Sequence, residues 1–243
     1  MTRAQRTLVF DQVLFTQSGS KAPTMDLKYK ELVPVIIQRL KAAHDPKRAK
    51  IRALFFKTEH QFFERHIRNK TVLVAGSGLG DDSFELARYN KRVVGVELLK
   101  DLIVLSRKRL KKRPGLKNLS FVNDDFMNLE FSKHTFDVVV LNMGTIGDFK
   151  NKKKILKELL RVGKIVYFDF YPPTLAGLKK RKKMHKEELW QGVRIKNNAV
   201  ISGDGLYSVS ISKEEITKMV KSIGAKVRYY KLCDFAVMAE VAK

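Results

Sequence analysis

The sequence predicts an α/β fold with a doubly wound, mostly parallel sheet, a C-terminal antiparallel hairpin and an N-terminal helical extension. Between residues 70 and 171, short apolar runs alternate with segments of helical periodicity. Parallel strands that are joined by helices produce this alternation. The final stretch, AKVRYYKLCDFAVMAEVA, contains two strand patterns separated by a turn, whereas residues 26–66 show only helical spacing.

The N-terminal extension, residues 1–66, is predicted to be helical after its first 25 residues, whose periodicity is weak. A first helix is expected over residues 26–44, where Pro34 predicts a kink or a restart. Asp45 and Pro46 end this helix, and a second one is expected over residues 47–66. We expect the extension to act as a lid on the main domain, residues 67–243.

Five strands are predicted in the main domain, each as a short apolar run bounded by polar or turn-forming residues. They cover residues 71–76, 93–98, 119–125, 136–144 and 164–171. Helices are expected between them over residues 82–89, 100–112 and 152–161. A ligand of such a sheet binds at the carboxyl ends of the strands, near the point where the strand order reverses.

The segment 174–208 interrupts this alternation and is predicted to be a basic cap. It begins with a lysine-rich helix, LKKRKKMHKEELW, and continues with one or two strands that turn at Gly203–Gly205. Another helix follows, with Ser212 as its N-cap and Gly224 at its end. The chain then closes with the hairpin, which is expected to turn near residues 232–234.

Charge and cysteine content restrict the classes of function. The chain carries 49 Lys and Arg against 25 Asp and Glu, a formal net charge of +24. Such a field attracts nucleic acid, anionic membrane surfaces or acidic small molecules, although a generally lysine-rich proteome explains it equally well. The single cysteine, Cys233, excludes a disulfide framework and a cysteine-based zinc site, and it fits a cytoplasmic location. No apolar run reaches the ~18 residues of a membrane-spanning helix, and we expect no signal peptide.

The segment VLVAGSGLGDDSFELAR, residues 72–88, is typical of a ligand-binding loop between a first strand and a helix. Its glycines are Gly76, Gly78 and Gly80. Asp81 stands where a dinucleotide loop has its third glycine, and the Lys-Ser/Thr of a P-loop is missing. Asp81 and Asp82 would repel a pyrophosphate at the helix N-terminus. The loop therefore predicts a ligand that is neutral or cationic at this point.

These residues resemble the first motif of the class I S-adenosylmethionine-dependent methyltransferases, which have a Rossmann-like fold. AGSGLG matches the glycine loop of that family, and Glu97, which ends the second strand, matches the acidic residue that holds the ribose hydroxyls. The resemblance implies S-adenosyl-L-methionine as the cofactor. It also implies that the cofactor is contacted by Gly76, Ser77, Gly78, Gly80, Asp81, Glu97 and Leu98.

Two later segments extend the resemblance to about residue 170. NDDF (123–126) resembles the third motif, which implies that Asp124, Asp125 and Phe126 lie at the adenine. LNMGTIGDF (141–149) resembles the fourth motif, which implies that Asn142 and Met143 lie beside the methionine moiety.

Val74 departs from the family pattern, which usually has an acidic residue two positions before the first glycine. Recognition of the cofactor's amino group is then expected to fall to backbone carbonyls, to Asp81 or to Asp82.

The acceptor is predicted mainly by elimination. Methyl transfer requires alignment and exclusion of water, and a general base only where the acceptor loses a proton early, so no catalytic residue is assigned. We find neither the Asn/Asp-Pro-Pro-Tyr/Phe pattern of amino-group methylation, nor the cysteine of cytosine C5 methylation, nor the Lys-Asp-Lys-Glu set of ribose methylation. The fourth motif is similar to that of small-molecule methyltransferases. Candidate acceptor-pocket residues are Asp148, Tyr171, Trp190 and Tyr207.

The sequence thus predicts a methyltransferase that acts on a small or mid-sized acceptor by in-line displacement. Two alternatives stay open: an RNA (tRNA or rRNA) methyltransferase that uses the basic surface, and a catalytically silent module that binds the cofactor. The cluster KKRKK (179–183) either binds phosphates or is a solvated helix face. His185 is predicted to lie on the surface, and Phe55, Phe56, Phe62 and Phe63 to form the core of the extension. The oligomeric state is not predicted.

Overall fold

The helical extension is present in the computed structural model, which describes residues 27–243 and their side chains from residue 32. Helix α1 (Leu27–Ala43) and helix α2 (Lys50–His66) precede the first strand. Helix α1 continues through Pro34, so the restart predicted at this proline is wrong. The weakly periodic residues 1–25 lie outside the described part of the chain.

The main domain contains the predicted alternation of strands and helices. Its first part comprises β1 (Thr71–Ala75), α3 (Asp81–Ala87), β2 (Arg92–Glu97), α4 (Lys100–Lys111), β3 (Leu119–Asn123), β4 (Phe136–Leu141), α5 (Thr145–Asp148), α6 (Lys152–Val162) and β5 (Gly163–Phe170). Its second part comprises α7 (Leu175–Glu187), β6 (Arg194–Lys196), β7 (Ala199–Ile201), β8 (Tyr207–Val209), α8 (Lys213–Lys221), β9 (Lys226–Lys231) and β10 (Val237–Ala242).

Seven strands form the main sheet in the order β3-β2-β1-β4-β5-β10-β9. The first five strands in this order are parallel to one another, and β10 runs antiparallel to both β5 and β9. The strand order reverses between β1 and β4, so the carboxyl ends of these two strands flank a crevice. This topology confirms the predicted doubly wound sheet with its C-terminal hairpin.

The two faces of the sheet are covered by different helices. Leu73 and Ala75 face a core that includes α6 and α8, whereas Val72 and Val74 face a core that includes α2 and α3. Alternation of side chains along a strand produces this division. The phenylalanines of α2 therefore pack against the sheet itself, and the described part of the extension shares its core with the main domain.

The cap differs in two respects from the prediction. It contains three short strands, β6, β7 and β8, in a separate antiparallel sheet, where one or two were expected. The predicted turn at Gly203–Gly205 does connect β7 to β8.

Two side chains of α7 that belong to a lysine-rich run are buried. Arg181 is fully buried and donates hydrogen bonds to the hydroxyl groups of Ser208 and Ser210. The cluster 179–183 is consequently not one continuous solvated face. His185, which was predicted to lie on the surface, is only 3% exposed, because the cap strands and α2 cover this side of α7.

Among residues 27–243, every helix is too short or too polar to cross a lipid bilayer.

Candidate active site

The glycine loop joins β1 to α3 at the point where the strand order reverses. Gly76 has φ +67° and is exposed to solvent, so the loop presents its backbone at the crevice. Gly80 has φ +88°, and a Cβ atom there would lie 2.6 Å from the ring of Phe121. Only glycine satisfies both the left-handed backbone and this close approach.

Glu97 anchors this loop from the end of β2. Its Oε2 accepts a hydrogen bond from the backbone N–H of Gly78 (3.0 Å), and its Oε1 accepts one from Leu99 (2.9 Å). Burial raises the pKa of Glu97, and these backbone N–H groups offset part of the rise. Since each carboxylate oxygen accepts more than one hydrogen bond, Glu97 retains capacity for a ligand's hydroxyl groups.

Asp81 is held by Arg109 of α4 and by His44, the residue that follows α1. Arg109 of α4 donates two hydrogen bonds to its carboxylate (2.6 and 2.7 Å), and His44 lies 3.0 Å away. Burial alone would raise the pKa of Asp81, but Arg109 and His44 outweigh it and hold the pKa below its usual value. The charge of Asp81 is therefore neutralised within the protein.

Asp82 connects helix α2 to the end of β4. It accepts hydrogen bonds from Asn142 Nδ2 (2.9 Å) and lies 3.0 Å from His60 Nε2. Asn142 is buried, and its Oδ1 has no hydrogen-bond partner among the described residues. The fourth motif, α3 and α2 thus meet at one carboxylate.

Met143 and Gly144 form a left-handed turn after β4, with φ of +63° and +69°. The backbone N–H of Gly144 donates to both carboxylate oxygens of Asp169 (2.9 and 3.0 Å). A Cβ atom at Gly144 would lie 2.3 Å from the ring of Tyr171. The ring of Tyr171 therefore packs directly against the turn, and this residue is itself only 1% exposed.

Asp169 was not predicted as a site residue. It is fully buried near the end of β5, and burial raises its pKa to about 7, although the Gly144 hydrogen bond opposes the rise. Asp169 lies within the apolar run KIVYFDFY. Because a buried acidic group is costly, its presence in such a run was a sequence signal of a functional or structural role.

The third motif lies beside the glycine loop. The Asp124 backbone N–H donates to the carbonyl of Glu97 (3.2 Å), and Asp125 Oδ1 accepts from the N–H of Met127 (2.9 Å). The ring of Phe126 lies 3.6 Å from the position that a Cβ of Gly76 would occupy. Leu98 is half-buried, and its carbonyl accepts from Asn123 Nδ2 (2.8 Å). The structure thus brings the residues predicted at the first three motifs together.

The four candidate acceptor-pocket residues lie in three places. Tyr207 Oη donates to the Asp148 carbonyl (3.1 Å), while Asp148 Oδ1 accepts from Val209 N–H (2.9 Å). Burial raises the pKa of Asp148 to about 7, with Val209 opposing the rise. Trp190 lies in the cap, and Tyr171 lies beneath Gly144.

A set of charged residues, which we name the lid clamp, joins the extension to the cap: Arg39, Arg52, Glu188 and Asp204. Arg52 Nε donates to Glu188 Oε1 (2.7 Å), and both side chains are nearly fully buried. Arg39 pairs with Asp204 and stacks on Trp190 at 5.0 Å. His185 Nδ1 lies 2.8 Å from Glu188 Oε2, and its ring stacks on Trp190 at 4.0 Å. Sequence reasoning missed the two pairs that join the extension to the cap, because their partners are 136 and 165 residues apart in the chain.

Residues 66–224 match the family model that is described as a methyltransferase domain. The ubiquinone/menaquinone biosynthesis C-methyltransferase UbiE of Wigglesworthia glossinidia brevipalpis is 27% identical over 119 residues, which are 46% of this chain and 47% of that protein. The chain thus spans about half the length of this curated relative.

Solved structures share the fold. A protein from Pyrococcus horikoshii aligns with a TM-score of 0.63 at 22% identity, over 92% of this chain and 99% of that one. Magnesium protoporphyrin IX methyltransferase from Synechocystis, with bound SAH, aligns with a TM-score of 0.55 at 15% identity, over 80% and 83%. In the structure, the strand ends bring together the glycine loop, Glu97 and Asn142. The family model covers more than half of the chain, and the chain therefore belongs to the methyltransferase-domain family.

Proposed function

We propose that the protein is an S-adenosyl-L-methionine-dependent methyltransferase that acts on a small or mid-sized acceptor. The observation that carries this proposal is the crevice where the strand order reverses. There, a carboxylate fixes a glycine loop, and Asn142 presents an acceptor oxygen that has no hydrogen-bond partner within the described part of the chain. Membership of the methyltransferase-domain family supports the same reaction class.

The residues present fit this cofactor. Glu97 can accept hydrogen bonds from ribose hydroxyls, and Asp82 places a carboxylate at the start of α3, which disfavours a polyphosphate. When bound, S-adenosylmethionine supplies a methyl group on a positively charged sulfur. The proposed contacts are Gly76, Ser77, Gly78, Gly80, Asp81, Glu97, Leu98, Asp124, Asp125, Phe126, Asn142 and Met143.

The extension and the cap are proposed to enclose the acceptor. The lid clamp holds α1 and α2 against residues 174–208, which excludes water from the reacting groups. Asp148, Tyr171, Trp190 and Tyr207 are the proposed acceptor-side residues. The relative's role in ubiquinone and menaquinone biosynthesis makes a quinone-type molecule the first acceptor to test.

The test is a calorimetric titration with S-adenosylhomocysteine, NAD and ATP. We expect S-adenosylhomocysteine to bind and the two phosphate-bearing ligands not to bind. Binding of NAD or ATP together with no binding of S-adenosylhomocysteine would contradict the proposal.

Transfer of a radiolabelled methyl group into a cell extract then identifies the acceptor. Label in the small-molecule fraction supports the proposal, label in RNA supports the RNA alternative, and no label supports a silent binding module. A cytoplasmic location is part of the same proposal and rests on the cysteine content.

A further inference from the structure

Glu59 of α2 is a buried carboxyl group whose role neither the fold nor the proposed contacts explain. It is 0% exposed, and both of its oxygens have no hydrogen-bond partner among the described residues. It lies on the same face of α2 as Phe55, Phe62 and Phe63, which pack on the sheet over Val74. A buried polar group without a partner is costly, so it indicates a compensating interaction that is absent from the free protein.

Two further carboxylates, Asp82 and Asp169, lie close enough for their charges to act on Glu59. We name these three residues the acid cluster. They come from three different elements, α2, α3 and β5, and converge at the carboxyl ends of β1, β4 and β5. This convergence places three carboxyl groups beside the crevice.

The cations around the acid cluster are committed to other partners. Arg52 binds Glu188 and donates to Tyr171 Oη (3.3 Å), and His60 binds Asp82. Cys233 of the hairpin also lies close enough to act on Glu59, and it adds no positive charge. Burial, followed by the charges of Asp82 and Asp169, raises the pKa of Glu59 well above its usual value, and the charge of Arg52 only partly opposes this rise.

Asn142 supplies a second, independent indication of a ligand. Its Nδ2 is bonded to Asp82, but its Oδ1 is without a partner among residues 32–243 although the residue is only 7% exposed. Asn142 Oδ1 adds a hydrogen-bond acceptor to the acid cluster, whose carboxyl groups are negatively charged once they ionise. A complementary ligand is positively charged, because a neutral or anionic ligand leaves the charge of the cluster uncompensated.

We propose that Glu59, as part of the acid cluster, is the buried counter-charge for a cationic ligand and discriminates the sulfonium form of the cofactor from its neutral thioether product. This inference rests on the proposed function. Val74 occupies the end of β1, where it faces α2, so the negative charge comes from the helix packed over the strand. In the low-dielectric interior such a charge acts on the ligand through space and requires no direct contact.

The proposal gives Glu59 a defined proton balance. The carboxylic acid of Glu59 ionises when the cation binds, and its proton passes to solvent. Binding of S-adenosylmethionine then releases a fraction of a proton, whereas binding of the uncharged thioether releases less.

The test compares S-adenosylmethionine with S-adenosylhomocysteine in calorimetric titrations of the wild type and Glu59→Gln. Glutamine keeps the shape of the protonated side chain and removes the charge. Glu64→Gln is the matched control, because Glu64 lies on the same helix but is exposed and paired with Arg68. Titrations in two buffers with different ionisation enthalpies measure the proton release.

In Glu59→Gln we expect S-adenosylmethionine to bind about tenfold more weakly, S-adenosylhomocysteine to change less than about threefold, and the proton release to disappear. Glu64→Gln should bind both as the wild type does. Equal weakening of both ligands, or no weakening of either, in Glu59→Gln would overturn the inference while the proposed function stands. A wild type that binds neither ligand would overturn the proposed function and the inference with it.

Discussion

The glycine loop and the lid clamp differ in how far along the chain their contacts reach. Glu97 binds the backbone of residues 2 and 19 positions away. Arg52 binds a residue 136 positions away, and Arg39 one 165 positions away. The loop is built from backbone N–H groups and one carboxylate, whereas the clamp is built from pairs of charged side chains.

This difference explains why one region is visible in the sequence and the other is not. Short-range contacts impose residue types at fixed spacing, such as the three glycines and Glu97. A pair between distant residues imposes no spacing at all. The difference between the two regions also predicts different losses of stability on mutation. A buried charge that loses its partner destabilises the fold more than a backbone group that can bind water instead.

The largest effect is expected from breaking the buried pair of the clamp. Glu188→Ala leaves Arg52 buried without its carboxylate, so we expect the free energy of unfolding to fall by about 3–5 kcal/mol. Denaturant unfolding measures it. The control is Glu64→Ala, which removes an exposed pair with Arg68 and should cost at most about 1 kcal/mol. Similar costs for the two variants would remove the distinction between the clamp and an ordinary surface pair.

The same pair predicts a pH dependence. Burial by itself raises the pKa of Glu188, but Arg52 and His185 outweigh it and lower the pKa to about 2. Because the folded-state pKa lies below the unfolded one, this stability is present above about pH 4.5 and is lost as the pH falls through about 2. The stability difference between wild type and Glu188→Ala should therefore shrink across this range. A constant difference would show that the carboxylate is not ionised in the folded protein.

The next largest effect tests the turn after β4, where the two regions meet. Gly144→Ala places a Cβ 2.3 Å from the Tyr171 ring, at a position where φ is +69°. At Gly224, φ is +70°, but the Cβ that alanine adds has no described atom within 4 Å. We expect a cost of about 3 kcal/mol at Gly144 and about 1 kcal/mol at Gly224, since the strain is shared and the clash is not. Thermal unfolding of both variants measures the difference. Equal costs would mean that Tyr171 moves aside without penalty.

A smaller effect is expected on the loop side. Glu97→Ala removes the acceptor for two backbone N–H groups and for the proposed ribose hydroxyls. We expect S-adenosylhomocysteine to bind about 10- to 50-fold more weakly in calorimetry, which corresponds to about 1.4–2.3 kcal/mol. Glu85→Ala on α3, which loses a pair with Arg88 three residues away, is the control and should bind as the wild type does. Unchanged affinity in Glu97→Ala would remove the ribose assignment.

The smallest effect is expected from the more exposed half of the clamp. The Asp204 side chain is 30% exposed, so its pair with Arg39 is partly screened by solvent. A double-mutant cycle of Arg39→Ala and Asp204→Ala should give a coupling of about 1 kcal/mol or less. A coupling as large as the Glu188→Ala effect would show that the two halves of the clamp are equally buried in solution.

Much of the fold was predictable, and the errors share a physical cause. The succession of strands along the chain follows from the apolar runs and their spacing. Ser212 caps α8 as expected, because its side chain accepts a hydrogen bond from the N–H of Glu215. His185 was wrongly predicted to be exposed, because its neighbours in the sequence are lysines. Its burial comes from packing that the local composition does not show, because the cap strands and α2 cover this side of α7.

The sequence by itself determined the sheet, the glycine loop and the position of Glu97, because each depends on residues within one strand-loop-helix unit. Only the tertiary structure decided that Arg52 meets Glu188 and that Glu59, Asp82 and Asp169 share one buried region. Those neighbours come from elements that are adjacent in space and remote in the chain. The pKa values of Glu59, Asp169 and Glu188 are shifted only because packing removes water from around these carboxyl groups and brings other charges close to them.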